Sequence, residues 1–240
     1  MTTIPANLQA VHARIAAACA ACDRDPAEVR LLAVSKTWPT NALREAAAAG
    51  QRAFGESYVQ EAVAKIAALT ELGLEWHFIG PLQSNKTRQV AESFAWVHSL
   101  ERLKIAERLS TQRPAGLPPL QICLQVNVSG EASKSGCAPT EAPALATALA
   151  RLPNLRLRGL MAIPEPTEDS ALLRSRFALL RELRDQLNGA GHKLDTLSMG
   201  MSHDLETAIA EGATIVRVGT AIFGERHPPS PDPSLAGGEP

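Results

Sequence analysis

Eight short β-like runs alternate with longer stretches of helical periodicity along this chain, at positions 31–35, 52–54, 76–79, 96–98, 120–126, 157–161, 196–198 and 214–218. This alternation constrains the fold more than any other feature, because strands separated by helix-length segments pair in parallel through helical crossovers. Helix candidates fill the gaps at 40–49, 58–69, 85–93, 100–110, 141–151, 170–188 and 203–210, and another, about 7–22, precedes the first strand. In a chain of 240 residues, eight such units match an α/β fold of the (β/α)8 type, a TIM-like barrel with an extra N-terminal helix. A doubly wound open sheet is the runner-up. Thr40, Ser170 and Ser202 stand where helix-capping acceptors are needed, and Gly50 and Asn188-Gly189 mark stops. One barrel domain over 1–226 is expected. The proline- and glycine-rich 227–240 segment has too little apolar surface to order itself and is expected to be a disordered tail.

In such a barrel the working face lies at the C-terminal ends of the strands, and anions bind after the seventh and eighth strands beside a short extra helix. Lys36 closes the apolar run Leu31-Leu32-Ala33-Val34-Ser35 at the first strand end, while Gly200 and Ser202 follow the seventh strand and Gly219-Thr220 the eighth. Two glycine turns with exposed N–H groups would receive a phosphate, and a sheltered lysine amine would attack a carbonyl. An aldehyde at one end and a phosphate at the other is the arrangement that holds pyridoxal phosphate, though a Schiff-base aldolase acting on a sugar phosphate would use the same lysine chemistry. Singly, Ser202 reads as an N-cap, Gly219 as a turn and Lys36 as a solvated charge; their joint placement favours a site. Arg217, two residues before Gly219, either faces inward to donate to a pyridine nitrogen or outward to pair with a helix carboxylate.

Composition narrows the classes. A formal net charge of -1 with 45% hydrophobic residues lacks the basic excess that nucleic-acid or anionic-membrane binding favours. The opening residues lack a signal-peptide pattern, no apolar run approaches the roughly 20 residues of a membrane span, and a cytoplasmic location is expected. Cys19 and Cys22, three apart, share one face of the first helix as packing residues, and Cys123 and Cys137 have no matching pair, so reduced thiols are expected. The six histidines form no closely spaced ligand set, and no metal site is expected.

Six segments taken in order carry a family resemblance: Ala33-Val34-Ser35-Lys36, the run from Phe54 to Glu61, the run from Trp76 to Lys86, Arg158-Gly159-Leu160-Met161, the run from Leu197 to Asp204, and the run from Arg217 to Gly224. Through them the chain resembles the pyridoxal-phosphate homeostasis protein family, single-domain relatives of the alanine racemase barrel (fold type III among pyridoxal-phosphate proteins). The resemblance implies that Lys36 forms the Schiff base, that Ser202, Gly219 and Thr220 hold the phosphate with Met201 and Ser57 beside the cofactor, and that Arg217 faces the ring nitrogen. It also implies that Asn85 lies near the cofactor and that Lys134 sits on a mobile loop at the mouth. Ser57 stands where asparagine is usual, and Trp38 where lysine is frequent, which substitutes an aromatic wall or lid for a second amine.

The implied role is intracellular pyridoxal 5'-phosphate homeostasis, by reversible carriage of the aldehyde and supply to apo forms of cofactor-dependent enzymes, with indirect effects on amino-acid metabolism. A racemase needs a second acid–base group from an added β domain, for which this chain has no room; its one tyrosine, Tyr58, reads as a packing residue as readily as a catalytic one. A minor racemase or decarboxylase is the alternative. An isolated barrel is self-sufficient, and a monomer is expected.

Overall fold

The computed structural model describes residues 3–131 and 135–225. Lys134 and the 227–240 segment lie outside the described residues. The chain opens with α1 (Ile4–Ala20) and then runs β1 (Arg30–Val34), α2 (Thr40–Ala48), β2 (Ala53–Glu56), α3 (Val59–Ala68) and β3 (Glu75–Phe78). It continues through α4 (Thr87–Ser93), β4 (Trp96–Leu100), α5 (Leu103–Gln112), β5 (Leu120–Gln125), α6 (Ala142–Leu149) and β6 (Leu155–Met161). The last units are α7 (Ser170–Gly189), β7 (Thr196–Ser198), α8 (Leu205–Ala210), β8 (Ile215–Val218) and α9 (Thr220–Phe223).

All strands pair in parallel in sequence order, and β8 returns to β1, so the sheet closes and the open-sheet alternative is excluded. The main core lies between sheet and helices, where α2 contributes Leu43 and Ala46 and α5 contributes Ile105, Ala106 and Leu109 from one helical face. Inside the barrel the apolar residues split into two small groups. One is Leu32, Ala53 and Ile215 with Ile79, and the other is Trp96, Cys123 and Met161. A polar set comprising His77, His98, Ser198 and Arg217 shares the interior with them.

Several helix starts differ from the sequence expectation. Thr3 accepts the Ala6 N–H and Pro5 fits the first turn, so α1 begins three residues earlier than its apolar pattern does. Asp169, rather than Ser170, caps α7 by accepting from Ala171 and Leu172. Ser202 caps nothing: α8 starts at Leu205, after a turn in which Asp204 accepts the Met201 N–H. Gly50 takes the expected left-handed conformation at φ +99°, whereas α7 runs through Asn188-Gly189 and turns at Gly191, φ +98°.

Gly159 on β6 is a packing requirement, since a Cβ there would lie 1.8 Å from the Thr196 carbonyl oxygen of β7. Gly159→Ala is therefore expected to prise two barrel strands apart at a cost of about 1–3 kcal/mol. A lowered urea midpoint would report it; an unchanged midpoint would show that the strands yield freely.

Candidate functional site

At the C-terminal mouth of the barrel a cavity of about 200 Å³ is lined by Lys36, Ser57, Met201, Ser202, Arg217, Gly219 and Thr220, with Val34, Ile79, Ile163 and His203 completing the wall. Seven of the nine residues singled out in the sequence thus meet at one place. Asn85 does not line it; it sits exposed in the short turn Ser84–Lys86. Lys134 is outside the described residues. Burial places Arg217 in the interior, which excludes the outward ion pair.

The lysine side rests on a buried ionic cluster. Beyond β1 the chain turns through Lys36, with Thr37 in the left-handed region at φ +70° and Trp38 donating its N–H to the Ser35 carbonyl at 3.1 Å. Lys65 on α3 donates to that same carbonyl at 2.7 Å and to Glu56 Oε1 at 2.8 Å, and pairs with Glu61. Ser35 Oγ donates to Glu56 Oε1 at 2.6 Å, and Glu61 accepts the Thr37 N–H at 2.6 Å. Burial raises the Glu56 pKa against the attraction of Lys65. The turn carrying Lys36 is therefore held from below by four polar side chains. Only the i,i+4 spacing of Glu61 and Lys65 could have signalled this cluster in the sequence. Trp38 packs on Phe223, ring centroids 5.6 Å apart, rather than walling the cavity, so it ties the lysine turn to α9.

The opposite side is built from two turns. Gly200 adopts φ +91°, and a Cβ there would come within 2.6 Å of the Ala208 Cβ. Gly219 brings the start of α9 against β1, where an added Cβ would lie 3.1 Å from the Val34 carbonyl oxygen. The first amides of α9 have no partner within the helix and carry its partial positive charge. From the extra helix, Arg14 Nη2 donates to the Ser202 carbonyl at 3.1 Å while its guanidinium binds Glu206, and Asn7 donates to the Ile222 carbonyl at 2.8 Å. Helix α1 thus braces the turn after β7 and the short helix α9 that follows Gly219, a role that no local sequence pattern announced.

Arg217 Nη1 donates to the Ser198 carbonyl at 2.6 Å and to Ser198 Oγ at 2.8 Å, and Nη2 donates to the Ala162 carbonyl at 2.8 Å. Burial brings its pKa down to about 10. Ser198 Oγ lies 2.8 Å from His98 Nδ1, His98 Nε2 lies 2.8 Å from His77 Nδ1, and His77 Nε2 lies 2.6 Å from Glu75 Oε1. Burial depresses both imidazole pKa values, that of His98 well below its ordinary value. Burial opposes ionisation of Glu75, but its hydrogen bond with His77 and the charge of the paired Arg30 outweigh it and lower the carboxyl pKa. A second depression of about 310 Å³ adjoins the first across Ile79 and Ile163 and includes the buried Gln125.

Among known proteins, the family model described as alanine racemase, N-terminal domain, matches residues 6–227. A pyridoxal phosphate homeostasis protein of Pseudomonas aeruginosa is 67% identical over 226 residues, covering 94% of this chain and 97% of the relative. The chain belongs to this family. The solved structure of PipY from Synechococcus elongatus with pyridoxal phosphate bound is 42% identical, with a TM-score of 0.78 over 88% of this chain and 100% of that one. Alanine racemase from Corynebacterium glutamicum, 16% identical with a TM-score of 0.68, covers 91% of this chain and 62% of the racemase, and shares the barrel fold.

The lumen histidines set a pH dependence. Unfolded imidazoles take up protons near pH ~6.5, whereas burial keeps these two neutral below that point. The unfolded state then binds more protons, so their contribution to stability is full above that pH and is lost as pH falls toward the depressed folded values. Urea unfolding at pH 5.5 should show a lower midpoint than at pH 7.5, with a smaller difference in His98→Gln. An equal difference in that variant would remove His98 as a cause.

Proposed function

We propose that this chain binds pyridoxal 5'-phosphate reversibly and serves intracellular pyridoxal-phosphate homeostasis as a carrier and buffer. The observation that carries the reading is one small cavity with Lys36 on one wall, the turns of Ser202 and Gly219-Thr220 on another, and the buried Arg217 cation between the strands. These groups match the ligand part by part. Lys36 offers the amine for a Schiff base with the aldehyde, Ser202, Gly219 and Thr220 take the phosphate, and Arg217 donates to the ring nitrogen. Donation by a cation keeps that nitrogen unprotonated and makes the ring a weak electron sink. Met201 and Ser57 add side contacts, while the exposed Asn85 falls outside the binding set.

The relatives' name and the ligand bound to PipY support this reading. Carriage is favoured over racemisation because Tyr58 is 55% exposed and does not line the cavity, so no tyrosine faces Lys36 across the ligand space. Among the described residues no helix is long and apolar enough to cross a membrane. We assign the protein to the cytoplasm, as a monomer formed by one barrel domain through residue 226, with apo forms of cofactor-dependent enzymes as recipients.

Purified protein mixed with pyridoxal phosphate should show a visible Schiff-base band that borohydride traps on Lys36, and Lys36→Ala should abolish the band while leaving far-ultraviolet circular dichroism unchanged. A band that survives in the variant would reject Lys36. Ser202→Ala and Thr220→Ala should each weaken pyridoxal phosphate binding roughly tenfold, the loss of a hydrogen bond to a charged group, with little effect on unphosphorylated pyridoxal. Equal losses for both ligands would reject the phosphate assignment.

A further inference from the structure

We infer that Glu75, His77, His98 and Ser198 form a hydrogen-bond chain of fixed direction across the barrel, and that this chain positions Arg217 from the far end of the lumen. The binding consequence rests on the pyridoxal phosphate reading above; the direction of the chain does not.

The ends of the chain decide its order. A carboxylate only accepts and a guanidinium only donates. Because Glu75 accepts from His77 Nε2, the neutral His77 has only an acceptor left at Nδ1, and His98 must carry its hydrogen on Nε2. His98 Nδ1 is then an acceptor, so the Ser198 hydroxyl hydrogen is committed to it. Ser198 Oγ consequently turns a lone pair toward Arg217 Nη1, which donates to it at 2.8 Å. Each hydrogen in the series points from the Arg217 end toward Glu75, and the bonds polarise one another in a medium of low dielectric.

Packing preserves this order. Glu75 and His77 occupy one face of β3, His98 lies on β4, and Ser198 lies on β7, so the His98–Ser198 bond spans the lumen between strands that are not neighbours. Trp96 lies parallel to the His77 ring at a centroid distance of 5.3 Å and an interplanar angle of 4°, and hydrogen bonds at both ring nitrogens hold the imidazole in that plane. Both histidines and Ser198 are fully buried, so water cannot replace a missing partner. With its hydroxyl hydrogen held away, the Ser198 hydroxyl joins the Ser198 and Ala162 carbonyls as the third acceptor on Arg217, which fixes the guanidinium of a residue that also lines the cavity. Without His98, the hydroxyl is released to rotate and to direct its hydrogen at the cation. His98 and His77 are thus positioning residues that touch no ligand.

Two measurements test the chain. Long-range ¹⁵N–¹H correlation spectra of the ligand-free full-length protein should show His77 and His98 neutral, each protonated on Nε2, from pH 6.5 to 8.5; a hydrogen on Nδ1 of either ring overturns the proposed order. In binding titrations with pyridoxal phosphate, His98→Leu should weaken affinity roughly tenfold. His98→Gln supplies an N–H and a carbonyl in the same order and should recover most of that loss. His98→Leu combined with Ser198→Ala should bind no more weakly than Ser198→Ala alone. Additive losses, or a glutamine variant as weak as the leucine one, would mean that His98 acts only by filling space. Should the unaltered protein fail to bind pyridoxal phosphate, the functional reading fails, and the spectra still decide the chain. The spectra also stand if His98→Leu does not fold.

Discussion

Closure of β8 against β1 is the interaction on which the site depends. The register Arg30↔Ile215 through Ala33↔Val218 carries the two strand ends forward together, so that the turn holding Lys36 and the turn holding Gly219 emerge side by side. Parallel pairing tolerates little error here, because a slip of one residue would turn every side chain of β8 to the opposite face. Arg217 would then point at the helices instead of the lumen. Gly219 makes the closure tight enough to matter, since even one methyl group would press on the Val34 carbonyl.

Closure alone would leave costly charges inside a low-dielectric barrel, and the structure meets this at two points. Beneath Lys36, the Lys65 ammonium is surrounded by Glu56, Glu61 and the Ser35 carbonyl, which offsets its loss of hydration and stiffens the turn. In the lumen, Arg217 is met by two carbonyls and a hydroxyl and is connected through two neutral imidazoles to Glu75, itself paired with Arg30. The cavity therefore receives its chemical groups on supports that are already paired. Helix α1 adds a third support by bonding to the Ser202 carbonyl in the turn after β7 and to the Ile222 carbonyl in α9, so the segment before the first strand supports the site although it contributes nothing to its lining.

Much of this was readable from local pattern. Strand runs in the sequence fall within about two residues of the observed bounds because β-branched and apolar clusters separated by helical periodicity leave few alternatives. Lys36, Ser202, Arg217, Gly219 and Thr220 stood out because strand ends and glycine turns are recognisable one element at a time. The caps were less legible: Asp169 and Ser170 are adjacent and chemically equivalent as acceptors, and only the backbone decides between them. The His77–His98–Ser198 series was hidden for a stronger reason. His98 and Ser198 are 100 residues apart and meet only across the closed lumen, so neither spacing nor periodicity could pair them.

By itself the sequence determined the class of fold, the order of its elements, and the reactive groups that would stand at the strand ends, since each follows from short-range periodicity and from the side chain at a single position. Only the tertiary structure decided that Arg217 faces inward, that Lys65 rather than solvent supports the lysine turn, that Trp38 packs on Phe223, and that α1 braces the turn after β7 and helix α9. Those outcomes depend on which distant atoms come within hydrogen-bonding or van der Waals reach once the barrel has closed, and that information belongs to no local stretch of chain.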